Sequence, residues 1–473
     1  MNRILFTILL LLTATCFSQN NSGSKPIDLN RKGLEQTIDN YVQKFIDLDI
    51  FSGVVLIARD GNPFYQKAFG LADRDKNIPN TLNTKFDIGS MNKTFTKIII
   101  LQLAAADKLN LDNTLGKYLD GFEPQAANKI TINHLLHHQS GYGDYHSPDF
   151  FDLPKSQKTI AGILPGIRKM NLMFEPGTDQ AYSNTGYILL GAIIEKVTGK
   201  SYHQNVKERI VDKLGLKNTY LENKYQVPDR AIGYFKDTKG RIHDNNGFLE
   251  IPNPDGGFQS TAEDILKFYH SFYYDTLLLS TKARKLDPAF KFYEELKNSD
   301  RATGQAGGFE GANTALFEII RDRLSVIVFA NMDEPVAEQL GGGILAILRN
   351  ENPKDPSLPA RQSVYKAYKN KGIEYVREHF DALTENFHPS DPRDLILNSV
   401  GYDLMSDGDL DDALQIFRLN TQLFPEIANC WDSYGEALRN KGDNKAALEA
   451  YKKALEIRPD LPSSVQAVKE LSN

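Results

Sequence analysis

Cysteine is nearly absent from this chain: Cys16 and Cys430 are the two in 473 residues. Cys16 falls in an N-terminal stretch that reads as a cleavable leader, so a processed chain keeps Cys430 alone and forms no internal disulfide. A chain of this length can stand on its hydrophobic core without one. Cys430 itself sits in a helical pattern and reads as a small packing residue. Basic blocks are missing too. The formal charge is −6 and no run of Lys and Arg stands out, which removes the electrostatic case for a nucleic-acid partner. Nor does the leader offer a membrane span. Its apolar stretch, Ile4 to Leu12 broken at Thr7, is too short. Arg3 before it and the small residues Ala14, Cys16 and Ser18 after it make residues 1–19 a secretory signal, pointing to the periplasm or the exterior. A lipoprotein anchored through Cys16 is the alternative, disfavoured by Thr15 in front of it.

What is present is ordinary in bulk: 41 % hydrophobic and 25 % charged residues, as in soluble globular proteins, with length for two to four domains of about 150 residues. Leu34 to Ile46 is amphipathic at helical spacing. Gly53 to Arg59 and Phe64 to Phe69 read as strands joined by the Asp60-Gly61 turn. Residues 90–271 read mainly as helices, with Phe95 to Ala106 apolar nearly all round and so buried. Strands return at Thr314 to Ile320 and Ser325 to Ala330, and Glu334 to Arg349 closes as a helix. One sheet uniting both ends, with a helical subdomain inserted, is the economical α+β solution.

Pro353, Pro356 and Pro359 mark residues 351–362 as a linker. Beyond it, Gly401, Gly408, Ala413, Phe417 and Pro425 recur 34 residues later as Gly435, Gly442, Ala447, Tyr451 and Pro459. That period resembles tetratricopeptide repeats, helix pairs in which small residues face large ones. The expected module is a lead-in helix pair over 363–393, repeats over 394–473, and a capping helix from Pro462 to Leu471.

The chemistry rests on Ser90-Met91-Asn92-Lys93 and, 92 residues on, Tyr182-Ser183-Asn184. Neither pattern is rare: Ser-x-x-Lys also occurs at Ser22 and Ser363, and Tyr-x-Asn at Tyr368. Placement selects Ser90. Ser22 lies in a polar tail and Ser363 in the linker-repeat region, whereas Ser90 opens the most apolar helix. At i and i+3 its hydroxyl shares a helix face with the Lys93 amine. The positive helix N-terminus favours a developing alkoxide and a neutral lysine, so Lys93 could serve as a base. Tyr182, just before the apolar helix Tyr187 to Val197, could protonate a leaving group, its phenolate stabilised by Lys93.

With these residues stand Phe86-Asp-Ile-Gly-Ser-Met-Asn-Lys93, Leu135-Leu-His-His-Gln-Ser-Gly141, Phe174-Glu-Pro-Gly177, Tyr182-Ser-Asn-Thr-Gly186, Leu214-Gly-Leu216 and Gly256-Gly-Phe-Gln-Ser260. Together they resemble the β-lactamase-related serine hydrolases, a group holding class C β-lactamases, D-alanyl-D-alanine carboxypeptidases, D-aminopeptidases and esterases. The resemblance spans about residues 33–350. It implies the β-lactamase/transpeptidase-like fold, an antiparallel sheet flanked by helices with an all-helical subdomain, and an acyl-enzyme mechanism. Ser90 would be the nucleophile, Lys93 and Tyr182 the acid/base pair, and Asn184 a substrate ligand. The N–H groups of Ser90 and Gly308 would form the oxyanion hole. No metal or organic cofactor is implied. The chain departs from the family at its third motif. Gln305 stands in Gly304-Gln-Ala-Gly-Gly308 where Lys or His is usual. A neutral amide loses the ionic attraction for a substrate carboxylate, which shifts weight from β-lactams and D-alanyl peptides to neutral esters or amides, unless Arg301 supplies the charge.

The resulting expectation is an exported serine hydrolase acting on a small-molecule or peptide substrate, with the repeats docking a protein partner. A β-lactamase or D-alanyl-D-alanine carboxypeptidase is the rival enzyme, and a retired hydrolase acting as a binding scaffold the rival class. Plainer readings accompany several residues. Asn184 could cap a helix, and Gly307 and Gly308 could permit close packing. His134, His137 and His138 lack the glutamate of a zinc-protease motif. Glu263 and Asp264 point apart, and Ser260-x-x-Glu263 reads as a capping box. Phe272, Tyr273 and Tyr274 read as core or rim.

Overall fold

The computed structural model describes residues 26–385 and 393–472. The leader, Ser22 and residues 386–392 of the expected lead-in segment lie outside them. The chain forms two units, one holding the residues up to Phe235 together with Asp244–Asp355, the other Lys236–His243 with Pro356–Asn473.

The first unit is built on a five-stranded antiparallel sheet. Its strands are Gly53–Arg59 (β1), Asn62–Phe69 (β2), Thr303–Phe309 (β3), Ala312–Ile319 (β4) and Leu324–Ala330 (β5), in the order β2-β1-β5-β4-β3. The Asp60-Gly61 turn makes the first hairpin, with Gly61 at φ +73°, a conformation glycine adopts freely. The two ends of the sequence meet at β1 and β5, paired from Gly53 with Ala330 to Arg59 with Leu324. This is the union expected from the sequence, and it leaves β3 as an edge strand. Five helices matter for the site: Leu34–Asp47 (α1), Asn92–Ala105 (α2), Asn184–Thr198 (α3), Ala262–Tyr274 (α4) and Val336–Leu348 (α5). α5 packs on α1 and on β4 and β5, while α4 packs on β1 and β5. α2 is buried on every side, as its composition demands. Phe95 stacks on Phe268 at 3.9 Å and meets Phe258 edge-on at 5.5 Å. Phe272 and Tyr273 are core residues.

Two helix starts differ from the sequence reading. The cap of α4 is Thr261, whose hydroxyl accepts the Asp264 N–H, not Ser260. Ser260 lies in a two-residue strand and bonds the Thr219 hydroxyl at 2.9 Å. The cap of α3 is Ser183, which accepts the Gly186 N–H, and this frees Asn184 from that duty.

In the second unit, Ala360–Leu383 (α6) starts inside the segment expected as linker and is broken at Gly372, where φ is +82°. Asp394–Ser406 (α7), Leu410–Leu423 (α8), Ala428–Lys441 (α9) and Asn444–Ile457 (α10) form two successive helix pairs, and Pro462–Leu471 (α11) is a further helix after them. Small residues meet large ones as the 34-residue period requires: a Cβ on Gly401 would meet the Phe417 ring at 2.6 Å, and one on Gly435 the Tyr451 ring at 3.1 Å. Cys430 is wholly buried among these helices.

Candidate active site

Ser90 sits on a single 3₁₀ turn, Gly89–Met91, that leads into α2. The turn is pressed against β3. Gly89 has φ +50°, and a Cβ there would meet the Gly308 nitrogen at 2.6 Å; a Cβ on Gly307 would meet the Ser90 nitrogen at 2.5 Å. Only glycine fits this approach, which brings the Ser90 and Gly308 nitrogens to neighbouring places. Asp87, half-buried behind the turn, accepts the Gly89 N–H at 2.8 Å and the Gln259 amide at 2.9 Å. Burial pushes its carboxyl up to about 6, against the pull of the Gly89 N–H, Lys224, Gln259 and Arg230.

Lys93 is buried at the start of α2. Its Nζ lies 2.9 Å from Ser90 Oγ, 2.6 Å from Asn184 Oδ1 and 2.7 Å from the Asp255 carbonyl oxygen. The Ser90 and Tyr182 hydroxyls are 2.6 Å apart. The four side chains Ser90, Lys93, Tyr182 and Asn184 therefore form one connected cluster. Burial pushes the Lys93 ammonium down to about 8, although Asp255 and Asp144 pull it back. Burial also drives the Tyr182 phenol well above its usual value; the bond to Ser90 opposes this, and Asp255, Asp144 and Tyr187 reinforce it. Burial thus shifts both groups towards their neutral forms, amine and phenol.

Two residues of this cluster were not singled out in the sequence. Asp144 Oδ2 accepts from Asn184 Nδ2 at 2.5 Å, and its Oδ1 lies 2.8 Å from His146 Nδ1. Asp255 offers Lys93 its backbone carbonyl, while Tyr145 donates to its Oδ2 at 3.1 Å. The other motif copies are spent on packing: Ser363 donates to the Leu358 carbonyl at 3.1 Å and Tyr368 to Asp412 at 2.7 Å. Gln305 is on β3 opposite Leu316. Arg301 is exposed, and its guanidinium lies 5.9 Å over the Phe292 ring.

The three histidines have separate settings. His134 forms a reciprocal cap with Thr131. His137 reaches Asp287 at 3.5 Å. His138 accepts the Ser183 N–H at 3.1 Å and packs on the Tyr182 ring at 4.7 Å. Burial, aided by Lys93 and Lys97, lowers His138 to about 3 and keeps it neutral. Among the described residues no group of three His, Cys, Asp or Glu side chains could hold a metal ion.

A tetratricopeptide-repeat sequence model matches residues 428–461. The chain is 29 % identical over 313 residues to penicillin-binding protein 4* of Bacillus subtilis, covering 60 % of this chain and 69 % of that protein. It is 33 % identical over 178 residues to a teichoic acid D-alanine hydrolase of Staphylococcus aureus, but that match covers only 38 % of this chain and 43 % of the hydrolase. Among solved structures, a penicillin-binding protein from Bacillus halodurans aligns with a TM-score of 0.57 at 27 % identity, over 65 % of this chain and 99 % of that one. A class C β-lactamase aligns at 0.54 with 19 % identity, over 67 % and 97 %, which speaks to fold alone. The beta-lactamase sequence model matches residues 34–339, and the chain belongs to that family of serine hydrolases.

Proposed function

We propose that this protein is an exported hydrolase that cleaves an ester or amide through an acyl-enzyme on Ser90. The observation that carries the reading is the set of partners around Lys93 Nζ. A neutral amine has two N–H donors and one lone pair. Asn184 Oδ1 and the Asp255 carbonyl take the two donors, and the lone pair is left facing Ser90 Oγ at 2.9 Å. The amine takes the Ser90 proton as Oγ bonds to the substrate carbonyl carbon. The developing oxyanion lies against the Ser90 and Gly308 N–H groups. Tyr182 donates its proton to the leaving group as the bond to the carbonyl carbon breaks, and the Lys93 ammonium then gives its proton directly to the Tyr182 phenolate, so that both regain their starting forms. Water then repeats the sequence in reverse roles and frees the acid.

Gln305 in place of a cation, and Arg301 turned over Phe292, favour substrates without a carboxylate beside the scissile bond. The Staphylococcus relative is named for hydrolysing D-alanine from teichoic acid, so a D-aminoacyl group is the first acyl donor to try. The penicillin-binding relatives support a second reading, in which β-lactams or D-alanyl peptides acylate Ser90. Residues 1–19 support export, and no helix among the described residues is long and apolar enough to cross a membrane. The repeats would dock a protein partner. The test is a panel of D-aminoacyl esters, D-amino-acid amides and a fluorescent penicillin, with Ser90→Ala as control. Turnover of esters or amides, lost by at least about 10⁴-fold in the variant, is the expected result. Full activity in Ser90→Ala sinks the assignment, and penicillin labelling without ester turnover restores the second reading.

A further inference from the structure

The reading above requires the Lys93 lone pair to face Ser90, and that depends on which end of the Asn184 amide Lys93 meets. The two ends of an amide have nearly the same shape and opposite hydrogen-bonding character. With Oδ1 towards Lys93, the amide accepts an N–H and leaves the lone pair for Ser90. Turned by half a rotation, Nδ2 would donate to that lone pair and disarm the base. Nothing in α3 itself decides between the two, because the cap of that helix is Ser183 and not Asn184. The deciding group is Asp144.

We infer that Asp144 is a positioning residue for catalysis, which fixes the Asn184 amide with its oxygen on Lys93 and holds a negative charge one residue away from the base. A carboxylate only accepts hydrogen bonds, and Asp144 Oδ2 is 2.5 Å from Asn184 Nδ2, so the donor end of the amide is drawn to Asp144 and the acceptor end is left for Lys93. The carboxylate is itself held in place. Its Oδ1 accepts the His146 N–H at 2.9 Å and lies 2.8 Å from His146 Nδ1. The His146 ring is packed against Tyr145 at 4.1 Å and Phe150 at 5.1 Å. Burial works against the Asp144 charge, but His146 and Asn184 overcome it and keep the carboxyl below its ordinary value.

Charge is the second part of the role. The groups facing Lys93 are Asp255 from the loop before α4, Asp144 from the loop after the histidine segment, Tyr182 and Tyr187 at the head of α3, and neutral His138. The two carboxylates alone among them favour the ammonium form. Removing the Asp144 charge makes the ammonium less stable, so Lys93 loses its proton at lower pH. A rate that needs the neutral amine then rises at lower pH as well.

The inference rests on the proposed serine mechanism, and the test separates the two. Wild type, Asp144→Asn and Asp144→Ala are compared for fluorophosphonate labelling, for kcat and KM per labelled site on one responsive ester across pH 5–10, and for melting temperature. Asp144→Asn removes the charge and keeps an oxygen for the amide. It should move the Lys93 limb of the rate profile to lower pH by about half to one unit, with kcat at the plateau within about tenfold. Asp144→Ala should show the same shift and a fall in kcat of about 100-fold with KM little changed. A merely structural Asp144 would lower the melting temperature and the labelled fraction but leave the limb where it is. An unmoved limb with unchanged kcat per labelled site overturns the inference. Failure of wild type to take the probe overturns the serine mechanism instead.

Discussion

Lys93 and Lys97 stand one turn apart on the same buried helix and have opposite fates. Lys97 Nζ is 2.9 Å from Asp287 Oδ2, a carboxylate that is itself almost wholly buried. Burial alone would lower the Lys97 ammonium, but the Asp287 charge wins and holds it above the ordinary lysine range. Lys93 meets a hydroxyl, an amide oxygen and a backbone carbonyl, and its carboxylates stand one residue removed. There burial wins, and the amine titrates at about 8. Two identical side chains in one helix thus become a fixed cation and a readily neutralised amine. What separates them is whether a full negative charge or only neutral dipoles touch the nitrogen.

The sharpest way to break this contrast is to remove each amine. Lys93→Met should cut ester turnover by about 10⁴-fold, the upper end for loss of a general base. Its melting temperature should hold or rise, since a cation that gains little from burial is gone. Lys97→Met should do the reverse. It leaves Asp287 buried without its partner and should cost about 3–5 kcal/mol of stability, read by urea unfolding, while kcat per labelled site changes only a few-fold. The double variant Lys97→Met with Asp287→Leu should recover most of that loss. A Lys93→Met protein that unfolds readily and keeps its activity would erase the distinction.

The Asp287 pair also gives an acid signature. Burial opposes the Asp287 charge, but Lys97, His137 and the Ala289 N–H hold its carboxyl below the ordinary range. A carboxyl with a lowered folded value stabilises the protein above the unfolded value of about 3.9 and loses that contribution as pH falls through the folded value. Wild-type stability should therefore fall more steeply below about pH 4 than that of the double variant.

The site was partly legible in the sequence for reasons that the same contrast explains. Ser90 and Lys93 are i and i+3 in a helix whose composition announces burial, and Tyr182 with Asn184 precedes a second apolar helix, so spacing alone suggests a shared cluster. The sheet was legible because alternating and apolar runs stood at both ends of the domain, and the repeats because a 34-residue period places small residues against large ones. Asp144 and Asp255 were not legible. Each comes from a loop with no period to mark it, and Asp255 acts on Lys93 through a carbonyl that any residue would supply. Lys97 was hidden because its partner, Asp287, lies 190 residues away. The cap of α4 fell one residue from its expected place, at Thr261 and not Ser260, and α3 is capped by Ser183, which leaves Asn184 without the capping role weighed against its reading as a substrate ligand; neighbouring Ser, Thr and Asn are rivals of nearly equal intrinsic preference.

A smaller effect tests the protonation of the two amines directly. If neutral Lys93 is the base, kcat/KM should rise about tenfold per pH unit below pH 8 and level above it. Lys97, held charged by Asp287, should add no limb of its own. The profile of the Lys97→Met and Asp287→Leu double variant should then overlay that of wild type to within about half a unit, because the pair removed is net neutral. A limb that moves by more than a unit would mean that the two lysines titrate as one system.

The smallest effect expected concerns His137. Its Nε2 lies 3.5 Å from Asp287 Oδ1, at the outer limit of a hydrogen bond, with its ring over a quarter exposed. The same carboxylate is already met by Lys97 at 2.9 Å and by the Ala289 N–H at 2.9 Å. A long, partly solvated bond to a group that has better partners contributes little. His137→Ala should therefore cost about 0.5 kcal/mol in urea unfolding and leave turnover unchanged. A loss near that of Lys97→Met would show that Asp287 depends on the histidine, and that a lysine touching a carboxylate is not by itself enough to hold a charge inside this helix.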